Sequence, residues 1–344
     1  SLAGVKYITV AHNSQVAKDV SSMGDVPYGV EKRSKKGNIT LYRNKYALPF
    51  AYAYDSYMTE QQYEQLNGIG KEQAMLAQII LNQHPADKEI QHNKQRNDPD
   101  IQTISLPETR ISSPKGKKYA DIMVPVEKDK ETYLYFKNLV YHGKKNGDDN
   151  FILTGRKGTK GILVTQNDVQ QKIHIQSTFN PYYFGRKDYI VKINHQTSKA
   201  KEKVRLNFLS PGEYEFDDIS LITVPKKDVL ARLKECKENS MKQIQYEGNH
   251  FRGVYHAKKD QILCVTIPYS KGWKATVNGN RTKIYKANGM FMGIIMKKGT
   301  QSVKLDYETP GLKIGAWISL VAWIGLGIYG LYFEKYRKKL LNQR

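Results

Sequence analysis

Cysteine is nearly absent from this 344-residue chain, which holds only Cys236 and Cys264. That excludes a scaffold built on disulfides, although one bridge remains possible. Neither residue stands in a Cys-x-x-Cys or Cys/His metal spacing. Cys264 interrupts the strand-like run Ile262, Leu263, Val265, Ile267 and Cys236 falls on a helix face, so both read as small buried apolar side chains. His12, His84, His92, His142, His174, His195, His250 and His256 form no His-x-His or His-x-x-x-His pair, and no zinc centre is implied. No Gly-x-Ser-x-Gly elbow or other local nucleophile signature occurs, so the residues assign no catalytic, cofactor-binding or metal-binding position. Repeats of fixed period and low-complexity tracts are missing too.

Acidic residues are scarce relative to basic ones. Lys and Arg number 55 against 33 Asp and Glu, a net charge of +22. The last eleven residues hold five cations and one anion, so +18 of that charge precedes them. A field of this sign gathers polyanions, whether anionic lipid, nucleic acid or a phosphate-rich polymer, and charge alone does not choose among them.

What is present in force is one long apolar run. Ile314 to Phe333 is twenty residues without a charge, and at about 1.5 Å per helical residue it spans roughly 30 Å, the thickness of a bilayer's hydrocarbon core. We read it as a transmembrane helix, with Trp317, Trp323, Tyr329 and Tyr332 supplying aromatics for the headgroup levels. The competing reading is a buried helix of a large soluble domain. Lys297, Lys298, Lys304 and Lys313 precede the run, but the five cations after it are denser, which favours a cytoplasmic tail and an exported body. No charged-then-apolar leader follows Ser1. Either the chain is a tail-anchored cytoplasmic protein, or Ser1 is an internal residue of a longer membrane protein whose earlier helices export the body. Gly311, Gly315, Ser319 and Ala322 recur at three- and four-residue steps and would let another membrane helix approach closely.

The rest reads as mainly β. Residues 1–100 form a small α+β part: VKYITV, NITLYRN and FAYAY are strand-like, Thr59-Glu60-Gln61-Gln62 fits a capping box, and Gly68 and Gly70 interrupt the helix it starts. Ala74, Met75, Ala77, Ile79, Ile80 and Leu81 predict a second helical segment ending before Pro85. A polar, Pro-punctuated stretch over 83–100 marks a boundary. Short strands with turns between them then predict a sandwich or jelly roll over 101–225. A linker helix follows over 226–240, started by Pro225, with Val229, Leu230, Leu233 and Cys236 on one face. A second sandwich-like unit covers 241–311, with Asn278-Gly279 and Asn288-Gly289 as hairpin turns, and leads into the apolar helix (312–333) and a basic tail (334–344).

Three short motifs imitate known chemistry, and each has a plainer reading. Asp98-Pro99-Asp100 has the D-x-D form of a metal-holding pair but sits in a polar loop that generates such pairs freely. Gly155-Arg156-Lys157-Gly158-Thr159-Lys160-Gly161 is rich in glycine and cations, yet it lacks the Gly-Lys-Ser/Thr ending and the following helix of a phosphate loop, so it reads as a basic turn. Asp148-Asp149 has no ring of regularly spaced oxygen ligands around it and reads as a turn. The aromatics are more suggestive. Tyr182 and Tyr183 after Pro181, and Tyr269 with Trp273 around Lys271-Gly272, can stack on sugar faces while adjacent lysines meet phosphates. Tyr182, Tyr183, Lys271 and Trp273 are therefore the candidate glycan or polyanion contacts. The opposing account for Trp273 is core packing, given the apolar area it has to bury.

The carboxy-terminal third adds a resemblance. Tyr269, Ser270, Gly272 and Trp273, then Asn278-Gly279, Gly299, Tyr307 and Pro310-Gly311 ahead of the apolar run, resemble the end of the bacterial YfhO family of membrane proteins. GVKYITV and NKYALPFAYAY look like the segment after that family's membrane core. The resemblance implies a multi-spanning glycosyltransferase of the GT-C type, using a polyprenyl-phosphate-sugar donor and glycosylating lipoteichoic acid or a similar anionic wall polymer. It implies an acidic catalytic residue on an early extracytoplasmic loop upstream of Ser1, membrane helices upstream as partners, and no nucleic acid. On that reading the chain is the large extracytoplasmic region plus the last helix, at the cell membrane with its tail in the cytoplasm. A membrane-anchored, non-enzymatic glycopolymer-binding protein is the alternative.

Overall fold

The structure, a computed structural model, describes residues 2–11, 30–85, 90–92, 100–104, 109–115, 117–127, 129–143, 161–167, 169–175, 185–193 and 201–341. Strands dominate, and short apolar stretches explain why. Ala51–Tyr54 and Gln261–Val265 are buried along their whole length, the pattern of a strand covered on both faces rather than one. They lie side by side in a seven-stranded sheet with Phe291–Met296, Tyr285–Ala287, Ile79–Leu81, Ser56–Thr59 and Gln91–His92.

Alternation along these strands sends side chains into two different cores. Ala51, Ala53, Leu263 and Val265 face one way, and meet Phe251, Tyr255, Val303 and Leu305. The latter come from a five-stranded sheet that includes His250–Ala257, Gly299–Tyr307 and Trp273–Val277. Tyr52, Tyr54, Ile262 and Cys264 face the other way, against Leu233 and Cys236. Both cysteines are buried and free, as their apolar surroundings led us to expect.

The segments expected to form separate amino-terminal and carboxy-terminal units thus share one sheet: Leu263 pairs with Ala53 and Cys264 with Tyr52. A strand apolar on both faces needs a layer on each side, and here the two layers draw on both segments.

Helix α1 (Glu60–Glu64) begins with the capping box read from the sequence, Thr59 accepting from the Gln62 amide and Gln62 reaching back. Helix α2 (Gly68–Ala77) differs from expectation at both ends. Gly68 and Gly70 lie in its first turn, where the Asn67 side chain accepts from the Gly70 amide at 2.7 Å, so they open a helix instead of breaking one. Ile79, Ile80 and Leu81 leave it as a strand parallel to Ser56–Thr59. Three consecutive apolar side chains suit a fully covered strand, and β-branched Ile favours it. Met58, Ala74 and Ile80 then bury together, laying α2 on the sheet.

The described residues between 100 and 225 build the other body. One four-stranded sheet runs Lys118–Pro125, Lys201–Phe208, Gly161–Gln166, Val169–His174, and another runs Tyr189–Ile193, Lys130–Lys137, Asp218–Pro225, Asp100–Ile104. Val124, Leu134, Phe136, Leu206 and Leu221 fill the space between them. Helix α3 (Lys226–Glu238) starts after Pro225 and buries Leu233 and Cys236. Ile69 of α2 packs with Tyr135, Ile222 and Val224, which joins the two bodies. Helix α4 (Leu312–Leu341) ends the described chain. The chain is therefore mainly β, with one carboxy-terminal apolar helix.

Leu263 is fully buried between the two large sheets. Replacing it with alanine is expected to remove about 2–5 kcal/mol of stability, seen as a lower urea midpoint for the full chain in detergent. Ile39→Ala, at a position 51% exposed, is expected to shift stability by no more than about 0.5 kcal/mol.

Candidate anion-binding site at the foot of the helix

The hairpin that carries Trp273 is set by its turn. Asn278 and Gly279 both adopt positive φ, 49° and 82°, the geometry a two-residue Asn-Gly turn requires. That turn pairs Thr276 with Arg281 and Ala275 with Thr282. On its other edge the strand pairs Trp273 with Tyr307 and Lys274 with Asp306. The rings of Trp273 and Tyr307 lie 5.1 Å apart at 55°, a tilted contact that covers part of the indole. Trp273 is accordingly half-buried, part of the core's margin and part of a surface.

Before the strand, Ser270 to Trp273 form a tight turn in which the Trp273 amide donates to the Ser270 carbonyl at 3.2 Å. The Glu308 amide donates to the Gly272 carbonyl at 3.0 Å. This approach explains the glycine, since a Cβ there would stand 2.3 Å from the Glu308 carbonyl oxygen. Exposed Lys271 at the tip therefore sits between two hollows, each about 250 Å³. The upper one is lined by Tyr269, Lys271, Trp273, Lys274, Arg281 and Lys283, among others, and no carboxylate contributes. Lys283 stands over the Tyr285 ring at 4.8 Å. The lower one has Lys271, Lys274, Glu308, Pro310, Lys313 and Ile314 on its wall.

Glu308 ties the β body to α4. Its two oxygens accept from Lys313 at 2.7 Å and from Lys274 at 2.9 Å. The hydrogen bonds from Lys313 and then Lys274 hold its carboxyl down at about 2, against an ordinary 4.5. From Leu312 to Lys338 helix α4 has a mean hydropathy of 1.8 over its most apolar part and none of that part is buried inside the protein, so the reading as a covered core helix falls. It is long and apolar enough to cross a membrane.

The family described as bacterial membrane protein YfhO matches residues 1–319. The chain belongs to that family. The uncharacterized protein YfhO of Bacillus subtilis (strain 168) is 29% identical over 306 residues, covering 86% of this chain and 33% of that protein. The chain thus spans about a third of the length of that YfhO relative. Among solved structures, the mycobacterial arabinofuranosyltransferase AftD, in its R1389S mutant, matches 57% of this chain and 14% of its own at 12% identity, with a TM-score of 0.21. Dimeric latent PorU of Porphyromonas gingivalis matches 89% of this chain and 32% of its own at 9% identity and 0.24. Scores this low carry no argument.

Of the residues read from the sequence, Lys271 and Trp273 come together on the upper hollow. Tyr182 and Tyr183 lie outside the described residues, as do Asp98-Pro99, Asp148-Asp149 and the glycine-rich turn from Gly155 to Lys160. Sequence pattern gives no sign of Lys274, Arg281, Lys283 or Glu308 as contacts, and marks Lys313 only as one of the cations ahead of the apolar run. The Asn-Gly turn carries a signal for part of this set: a two-residue hairpin there must place Arg281 opposite Thr276. Nothing local pairs Lys274 with Glu308, 34 residues on. Among the described residues no three His, Cys, Asp or Glu side chains gather where a metal ion could sit.

Two outcomes are expected here. Because folding depresses the Glu308 carboxyl, its contribution is complete above pH 4.5 and fades as pH falls toward about 2. A carbon-detected NMR titration, assigned with Glu308→Gln, checks this, and a midpoint near 4.5 would mean that the tie is not formed. Gly272→Ala should break the 272–308 hydrogen bond, raising hydrogen exchange at the Glu308 amide.

Proposed function

We propose that this chain is the extracytoplasmic carboxy-terminal portion of a multi-spanning membrane glycosyltransferase. In this reading the longer protein moves a sugar from a polyprenyl-phosphate carrier to an anionic wall polymer such as lipoteichoic acid. The β body holds the polymer beside the membrane while residues elsewhere in the protein do the chemistry. The body lies outside the cell and the basic tail inside. Membrane helices from the rest of the protein are the neighbours of α4.

One observation carries the proposal. The upper hollow gathers Lys271, Lys274, Arg281 and Lys283 around Trp273 with no carboxylate in its wall, and Glu308 offsets only Lys274 among them. An aromatic face beside cations suits a polymer whose repeats alternate sugar or polyol with phosphate. The +18 carried ahead of the tail adds attraction that reaches roughly 8 Å at physiological salt. That range concentrates polymer at the surface without selecting a sugar. Selection would rest on contacts within the hollow and on the enzyme's remaining part.

The test is direct. Lipoteichoic acid is titrated onto the full chain in detergent at two salt concentrations. Wild-type binding is expected to weaken sharply as salt rises toward 1 M, where screening shortens to about 3 Å. Arg281→Gln with Lys283→Gln is expected to lower affinity several-fold at the lower salt. In cells, the same pair introduced into the full-length protein should reduce wall-polymer glycosylation. Polymer binding that persists while glycosylation never depended on the protein would instead establish a non-enzymatic glycopolymer-binding role.

A further inference from the structure

The lower hollow differs from the upper in where it sits. Ile314 on its wall is the first residue of the charge-free run, and Lys313 immediately precedes it. If α4 crosses the bilayer, Ile314 lies at the edge of the hydrocarbon and Lys313 among the headgroups. The hollow therefore opens at the depth where lipid phosphates lie. Its wall is mixed in the corresponding way. Pro310 and Ile314 are apolar, while Lys271, Lys274 and Lys313 are cationic.

Charge accounting favours an anion there. Glu308 is shared between Lys274 and Lys313, so three cations face one carboxylate. Lys271 is exposed and has no ion-pair partner among the described residues. The turn that presents it is held rigidly, by the Gly272 carbonyl against the Glu308 amide at 3.0 Å and by the Tyr269 amide against the Met290 carbonyl at 2.7 Å. With the turn's backbone already fixed, only the lysine side chain has to be ordered on meeting a phosphate.

We infer that the hollow lined by Lys271, Lys274 and Lys313 binds the phosphate of an anionic lipid in the leaflet that α4 enters. The bound lipid fixes how the β body stands on the membrane. It does so by bridging the Ser270–Trp273 turn to the start of the helix, beside the Glu308 carboxylate that already joins Lys274 to Lys313. Acyl chains continue along the exposed face of α4 beyond Ile314, which is 68% exposed. Arg281 and Lys283, which line only the upper hollow, are left for polymer.

The experiment is lipid retention by the full chain, measured by native mass spectrometry after exchange in detergent into phosphatidylglycerol or phosphatidylcholine. Phosphatidylglycerol is expected to stay bound in preference to phosphatidylcholine. Each lysine near an anionic lipid changes affinity by about fivefold, so Lys271→Gln should weaken retention by about that factor and Lys271→Gln with Lys313→Gln by more. Lys298→Gln, beyond the opposite end of the Gly299–Tyr307 strand, should leave it unchanged. Should the double variant misfold, Lys271→Gln alone decides, because that side chain is exposed and has no ion-pair partner among the described residues. Equal retention of the two lipids, or retention unaffected by Lys271→Gln, overturns the inference. So does displacement by millimolar inorganic phosphate, which would make a soluble phosphate the ligand. The lipid assay contains no polymer and the polymer assay changes only Arg281 and Lys283, so the two ideas fail independently.

Discussion

Burial of one sheet on both of its faces is the constraint from which the arrangement follows. Ala51–Tyr54 and Gln261–Val265 are neighbours although about two hundred residues separate them. Each alternates small or aliphatic side chains toward the five-stranded sheet with tyrosines, Ile262 and Cys264 toward α3. Taking either strand away would leave its neighbour with unpaired backbone groups in an apolar interior, a cost that proteins rarely bear. The chain therefore closes early on late, with Ala51–Tyr54 and Gln261–Val265 meeting in one layer. The buried tyrosines fit because their hydroxyls find backbone acceptors: Tyr52 donates to the Leu2 carbonyl at 2.9 Å and Tyr54 to the Met75 carbonyl at 2.7 Å.

That closure positions the foot. The five-stranded sheet packs on the seven-stranded one through Phe251, Tyr255, Val303 and Leu305. Its strand Gly299–Tyr307 runs straight to the helix, and the neighbouring strand brings Trp273 and Lys274 alongside. The hollows at the membrane end are products of that register. Slipping it by one residue would turn Lys274 inward and Ala275 outward, since successive strand side chains face opposite ways. Electrostatics then acts on a prearranged surface. The Glu308 carboxylate holds two lysines in place, which steadies the exit into α4 and leaves Lys271 to face solvent.

Much of this was readable from residues alone where the signal is local. The capping box at Thr59, the hairpin turns at Asn278 and Asn288, the start of α3 after Pro225 and the apolar helix all depend on neighbours in sequence, and the structure has each of them. Ile79 to Leu81 misled because three apolar residues after a helical segment fit either period, and only the sheet that receives them decides. Gly68 and Gly70 misled for a related reason. Their cost inside a helix is offset when an Asn67 cap takes the free amide.

Composition and local pattern by themselves determined the strand-rich character, the membrane-length helix and the positive field, while motifs at the chain's two ends carried only a resemblance to the YfhO family. Tertiary structure alone decided that Ala51–Tyr54 and Gln261–Val265 share a sheet, and that Trp273, Arg281, Lys283 and Lys271 surround one hollow while Glu308 clasps Lys274 and Lys313 beside another. The division has a physical cause. Turns, caps and long apolar runs are encoded within a few residues, whereas strand partners are chosen by which surfaces can cover one another, and that choice is made across the whole chain.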